Sequence, residues 1–131
     1  MGRKKARDNA FKCLYQLGFD FDLKLESVLE YSYEENLSTE EEKEYISSLL
    51  KGVIANIDAI DEEILKNLKD WSIDRIAKID LAILRLAIYE IKYVENIPVK
   101  VSVNEAVELA KMYGNETSAN FVNGLLAKVI I

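Results

Sequence analysis

The chain has 131 residues, 50% of them hydrophobic and 31% charged, which is enough for one domain with a sizeable core. Histidine is absent, Cys13 is the only cysteine, and the five glycines are scattered, so the usual neutral-pH base, a Cys–His nucleophile, an internal disulfide and a glycine-rich phosphate loop are all missing. No apolar run reaches the roughly 20 residues of a membrane span and the basic N-terminus lacks a secretory pattern, so the expectation is a cytoplasmic protein that binds partners, with no metal and no cofactor.

With Pro98 as the only proline, long helices are expected throughout, giving an all-α fold. Ala6, Ala10, Cys13, Leu14 and Leu17 recur at helical spacing and predict a first helix from Arg3 to Leu17, stopped by Gly18. Arg3 and Arg7 are four residues apart on a face that continues through Phe11 or Ala10 towards Leu14 and Tyr15. Cations beside aromatic rings are what single-stranded RNA binding uses, the rings stacking on bases; Phe11 fits the core better.

A shorter second helix is expected from Leu25 to Tyr33, with Leu25, Val28, Leu29 and Tyr33 on one side. Thr39 and Glu42 form a capping box that opens a third helix, whose apolar stripe runs through Ile46, Leu50, Val53, Ile57, Ile60, Ile64 and Leu68. Asp58 or Asp61 could restart or kink it. The acids Glu40, Glu41, Glu42 and Glu44 suit its dipole better than they suit a metal or catalytic site.

Past an irregular stretch with Trp71 and a short helix after Ser72, residues Leu81 to Tyr89 are apolar almost all round, so that helix should be buried. Arg85 within it needs a carboxylate such as Asp80 or Glu90, or a functional surface. Pro98 and an extended Val99-Lys100-Val101 precede a helix that Ser102 and Glu105 would cap. Gly114 ends it, and Thr117 or Ser118 caps a last helix carrying Phe121, Val122, Leu125 and Leu126.

The net charge of −6 argues against a general nucleic-acid coat, but Arg3, Lys4, Lys5, Arg7 and Lys12 crowd the first helix, while residues 20–44 are acidic. From charge alone, a solubilising basic terminus and a local RNA contact both remain open.

The stretch Pro98-Val99-Lys100-Val101-Ser102-Val103-Asn104-Glu105-Ala106-Val107-Glu108-Leu109-Ala110-Lys111, followed by Gly114, Ser118 and Phe121-Val122-Asn123-Gly124, resembles the NusB family of transcription antitermination factors. Asp80 to Glu90, Leu50-Lys51-Gly52-Val53 and the N-terminal Arg3, Ala6 and Leu14-Tyr15-Gln16 fit the same family. The resemblance covers essentially the whole chain and is loosest between Gly18 and Ser38.

It implies one NusB-like domain over 1–131, a compact bundle of six to seven helices in two packed subdomains. It implies binding to boxA RNA of nascent ribosomal RNA transcripts together with NusE, a small-subunit ribosomal protein, so that RNA polymerase passes terminators. By the family pattern Arg3, Lys4, Lys5, Arg7, Tyr15, Ser118 and Phe121 contact RNA, with Arg85 and Tyr113 as further candidates. The NusE-facing surface is expected around Asp80, Leu81 and Leu84, and a homodimer is a further association the family allows.

Two rivals are weighed beside this. Certain ribosomal RNA methyltransferases begin with a similar domain but need a cofactor loop and catalytic cysteine that this chain lacks. A helical protein–protein interaction module that never touches RNA is favoured by the acidic balance.

Overall fold

The helical periodicities are realised in a computed structural model that describes residues 3–18, 21–68 and 72–130, without the side chains of residues 3 and 21–23. The Arg3 side chain and Trp71 therefore lie outside the described residues. Seven α-helices and one short 3-10 turn, Ile73–Arg75, are present among the described residues. They fall into two compact units, Met1–Ala55 and Asn56–Ile131.

The N-terminal unit contains α1 (Arg3–Leu17), α2 (Phe21–Glu35) and α3 (Glu40–Ala55), each packed against the other two. Ala6, Ala10, Phe11, Cys13, Leu14 and Leu17 of α1 are buried, with Leu29 of α2 and Ile46, Leu49, Leu50 and Val53 of α3. Gly18 stops α1 at φ +61°, a left-handed conformation that glycine adopts without a Cβ penalty. Helix α2 is longer than its periodicity predicts, beginning at Phe21 and running on through Glu34 and Glu35, two acids that sit poorly at a dipole's negative end.

The capping box at α3 is formed as expected: the Glu42 N–H donates to Thr39 Oγ1 at 3.1 Å, and the Thr39 N–H donates to the Glu42 carboxylate at 2.9 Å. That backbone bond holds the Glu42 carboxyl below its ordinary value. The long third stripe is two helices, because the chain leaves helical geometry at Asn56, two residues before the expected restart at Asp58.

The C-terminal unit contains α4 (Ile57–Lys66), α5 (Lys78–Tyr93), α6 (Val99–Tyr113) and α7 (Ser118–Ile130). Helix α5 packs against all three others and is buried at every position from Asp80 to Ile88 and again at Glu90. Ile60 and Ile64 of α4, Ala106, Leu109 and Ala110 of α6, and Val122, Leu125, Leu126 and Val129 of α7 complete this core.

Ser102 corrects the expected cap. Helix α6 begins three residues earlier, at Val99, because Pro98 can precede a first turn whose N–H groups need no helical acceptor. The Pro98 carbonyl accepts from the N–H groups of Val101 at 2.9 Å and Ser102 at 3.3 Å, so the run read as extended is already helical. Ser102 is buried inside the helix, and its hydroxyl donates to the Glu90 carboxylate at 3.1 Å.

Two outcomes follow from this bonding. Ser102→Ala removes a donor from a buried carboxylate, and urea denaturation should show a loss of about 2 kcal/mol, more than a cap is worth. Glu42 gives the opposite kind of signature, in acid. Its folded value is depressed, so its contribution is present above the ordinary value of 4.5 and is lost as pH falls through the folded value. Thermal melts of Glu42→Gln should therefore fall less steeply with acidification than those of the natural chain.

Candidate nucleic-acid interface

Helix α1 sorts its cations by face. Arg7 lies in the same stripe as Phe11 and Leu14, and it is only 6% exposed. The expected row from Arg7 towards Phe11 and Leu14 is therefore buried. The outward row is Lys4, Asp8, Lys12 and Tyr15, at spacings of four, four and three. Lys4, Lys12 and Tyr15 are exposed along it, Tyr15 at 45%. Lys5 is also exposed, and its ammonium donates to the Asn36 carbonyl at 3.1 Å, near the negative end of α2.

Lys12 shares this row but is absent from the expected set of RNA contacts. It pairs with Asp8 at 3.2 Å across one helical turn, in an exposed ion pair. The signal for it in the sequence is its place about two helical turns beyond Lys4.

The second candidate cluster is the corner between α6 and α7. Gly114 is needed there for space: a Cβ would run into the Ser118 side chain and come within 2.8 Å of the Ala110 carbonyl. Asn115, not Thr117 or Ser118, supplies the capping side chain. Its Oδ1 accepts from the Thr117 N–H at 2.9 Å and the Thr117 hydroxyl at 2.8 Å, while its own N–H donates to Ser118 Oγ at 3.1 Å.

This ring of bonds buries Ser118, so it sets the corner's shape and presents no free hydroxyl. Tyr113 and Phe121 are both half-buried, one on either side of the corner. Thr117 is exposed just before α7, as are Asn120, Asn123, Gly124 and Lys128 along it.

Four further site expectations, Arg85, Asp80, Leu81 and Leu84, fall on the buried length of α5. Arg85 is 4% exposed and does not use Asp80 or Glu90 as its fork partner. Its Nε and Nη2 donate to the two oxygens of Asp61 on α4, at 2.9 Å and 2.8 Å. This bidentate pair is a structural tie, and it keeps Arg85 away from any exposed surface. Asp80, Leu81 and Leu84 are likewise buried, so the expected protein-docking positions are core. The physical reason is common to all: a helix wrapped by three others has no outward face.

Reactive groups are scarce. Burial raises the Cys13 thiol above its ordinary value, only partly offset by a hydrogen bond with Ser32, so it is not a thiolate nucleophile at neutral pH. Among the described residues, no group of three or more acidic or cysteine side chains could hold a metal ion, and no helix is long and apolar enough to cross a membrane.

The described residues are helical apart from turns, with an exposed lysine–tyrosine row on α1 and half-buried aromatic residues at a tightly capped corner. The NusB family model matches residues 4–130, and the chain belongs to the NusB family. The transcription antitermination protein NusB of Bacillus cereus (strain B4264) is 43% identical over 129 residues, spanning 98% of this chain and 97% of that protein. The solved structure of T. maritima NusB matches with a TM-score of 0.91 at 37% identity, covering 98% of this chain and 90% of that one. A chain from the crystal structure of antitermination factors NusB and NusE in complex with double-stranded RNA matches with a TM-score of 0.86 at 31% identity, covering 97% and 94%.

Gly124 provides a test of the α7 surface. It lies mid-helix, and a Cβ there would meet nothing within 4 Å. Gly124→Ala should therefore raise stability by about 0.5–1 kcal/mol in urea denaturation, the ordinary helix preference of alanine. A loss would mean that the helix surface is more crowded than described.

Proposed function

We propose that this chain is a non-catalytic, cytoplasmic transcription antitermination factor. It binds boxA-type RNA of nascent ribosomal RNA transcripts together with a NusE-type ribosomal protein, and through that complex lets RNA polymerase read past terminators. The observation that carries this reading is the match along nearly the whole chain to a NusB held with NusE and RNA. The exposed row of Lys4, Lys12 and Tyr15 supports it, because cations spaced along one helix suit phosphates and an exposed ring suits a base. Lys5, Tyr113 and Phe121 are proposed as further contacts, Arg3 extends the same basic segment, and Arg7 and Ser118 act by holding the shapes of α1 and the α6–α7 corner. The domain is proposed to work as one module over 1–131.

The test is fluorescence anisotropy with a labelled boxA RNA and a scrambled control, with and without the NusE-type partner, over a range of salt. Preference for boxA, sharpened by the partner, is expected. Replacing Lys4 and Lys12 with Gln should lower the slope of log affinity against log salt by about 0.7 for each single-strand phosphate left without its ammonium. Phe121→Ala should cost about 1–3 kcal/mol of boxA affinity per folded molecule. Equal, weak binding to both RNAs would favour the protein-only interaction module, the reading that the net charge of −6 supports.

A further inference from the structure

Gly124 is the central residue of α7, where glycine weakens a helix. Nothing in the chain's own packing asks for it there. Its φ is not positive, and a Cβ would meet open space. A helical position without a side chain does serve one purpose, which is to let the backbone of another molecule come close.

The neighbours of Gly124 indicate which molecule. Thr117, Phe121, Gly124 and Lys128 follow one another at spacings of four, three and four, so they share one face. Thr117, Gly124 and Lys128 are exposed, Phe121 is half-buried, and the exposed Asn120 adjoins the row. Lys128 forms no ion pair with any described residue. Of the seven helices, only α7 contains no aspartate or glutamate, the nearest acid in sequence being Glu116 at the corner before it. On a chain of net charge −6, it is the helix along which a polyanion meets least repulsion. The large apolar side chain exposed on α7, Ile130, lies off this row. The row itself offers a hydroxyl, an amide, a ring and an ammonium.

We propose that this face of α7 is a track for the sugar–phosphate backbone of RNA. Phe121 meets a base at the α6–α7 corner, and the strand crosses the helix at Gly124, where no Cβ holds it off. The Lys128 ammonium takes a phosphate about 10 Å further along the helix than Phe121. The proposal rests on the RNA-binding reading above and adds a direction to it, from the corner towards the C-terminal end of α7.

The test measures anisotropy of labelled boxA RNA with the full chain, with and without the NusE-type protein, over a range of salt. The variants are Gly124→Ala, Gly124→Leu, Lys128→Gln and the double variant Gly124→Leu/Lys128→Gln. Gly124→Ala should raise the melting temperature and still weaken RNA binding. Gly124→Leu should stay folded and weaken it by about tenfold or more, with or without the partner. Lys128→Gln should lower the slope of log affinity against log salt by about 0.7, but not when Leu already blocks position 124. A lysine that served only the negative end of α7 would shift the melt and leave the salt slope unchanged.

Preference for boxA in the natural chain with undiminished binding by Gly124→Leu overturns the track and leaves the RNA-binding reading standing. So does a salt slope that Lys128→Gln does not change. So does a Gly124→Leu chain that loses the NusE-type protein in the absence of RNA, since a protein would then cover α7. A natural chain that does not prefer boxA overturns both.

Discussion

A helix buried on nearly every side leaves its charged residues no route to water, and the C-terminal unit is organised by how α5 meets that constraint. Arg85 is satisfied by the fork of Asp61 on α4, and Glu90 accepts from Ser102 on α6. Such buried polar ties add little net stability over an apolar core, but breaking one leaves an uncompensated group, so they penalise every alternative register. They fix the faces that α4 and α6 turn towards α5 at Asp61 and Ser102. Asp80 is the exception, with one buried oxygen that finds no hydrogen-bond partner among the described residues.

The same economy governs the N-terminal unit. Cations that look equivalent in sequence are divided between packing and surface: Arg7 is committed to the interior, Lys5 to the end of α2, and Lys4 and Lys12 to the outward row with Tyr15. Exposed cations also occur on the other helices, at Lys24, Lys51, Lys66, Lys78, Lys92, Lys100, Lys111 and Lys128, so what distinguishes α1 is the alignment of Lys4, Lys12 and Tyr15 along one outward row. The polar side chains at turns are occupied locally: Thr39 and Asn115 as caps, and Ser118 in the bonds it shares with Asn115.

Positions that break a local rule are separated by whether the fold explains them. Gly18 has a positive φ and Gly114 has no space for a Cβ, so both are accounted for within the chain. Leu37 occupies a conformation made for glycine, and Gly124 occupies a helical position open to a side chain. Neither choice helps the chain's own packing, and local–global conflicts of this kind concentrate where a protein meets something else.

The sequence by itself determined the elements that rest on short-range physics. The bounds of α1, the Thr39–Glu42 capping box, the placement of Phe11 in the core and the all-round burial of α5 are consequences of spacing within one or two helical turns. The family resemblance is legible for the same reason, in contiguous motifs from Asp80 onward. Where local signals conflict, the pattern misleads: two acids hide the last turn of α2, and a serine three residues before a glutamate imitates a cap at Ser102. Only the tertiary structure decided the partner of Arg85, which lies 24 residues away on another helix, the inward turn of Arg7, and the burial of Asp80, Leu81, Leu84 and Ser118. Periodicity reports that a residue has a face; which neighbour that face meets depends on contacts that no local spacing encodes.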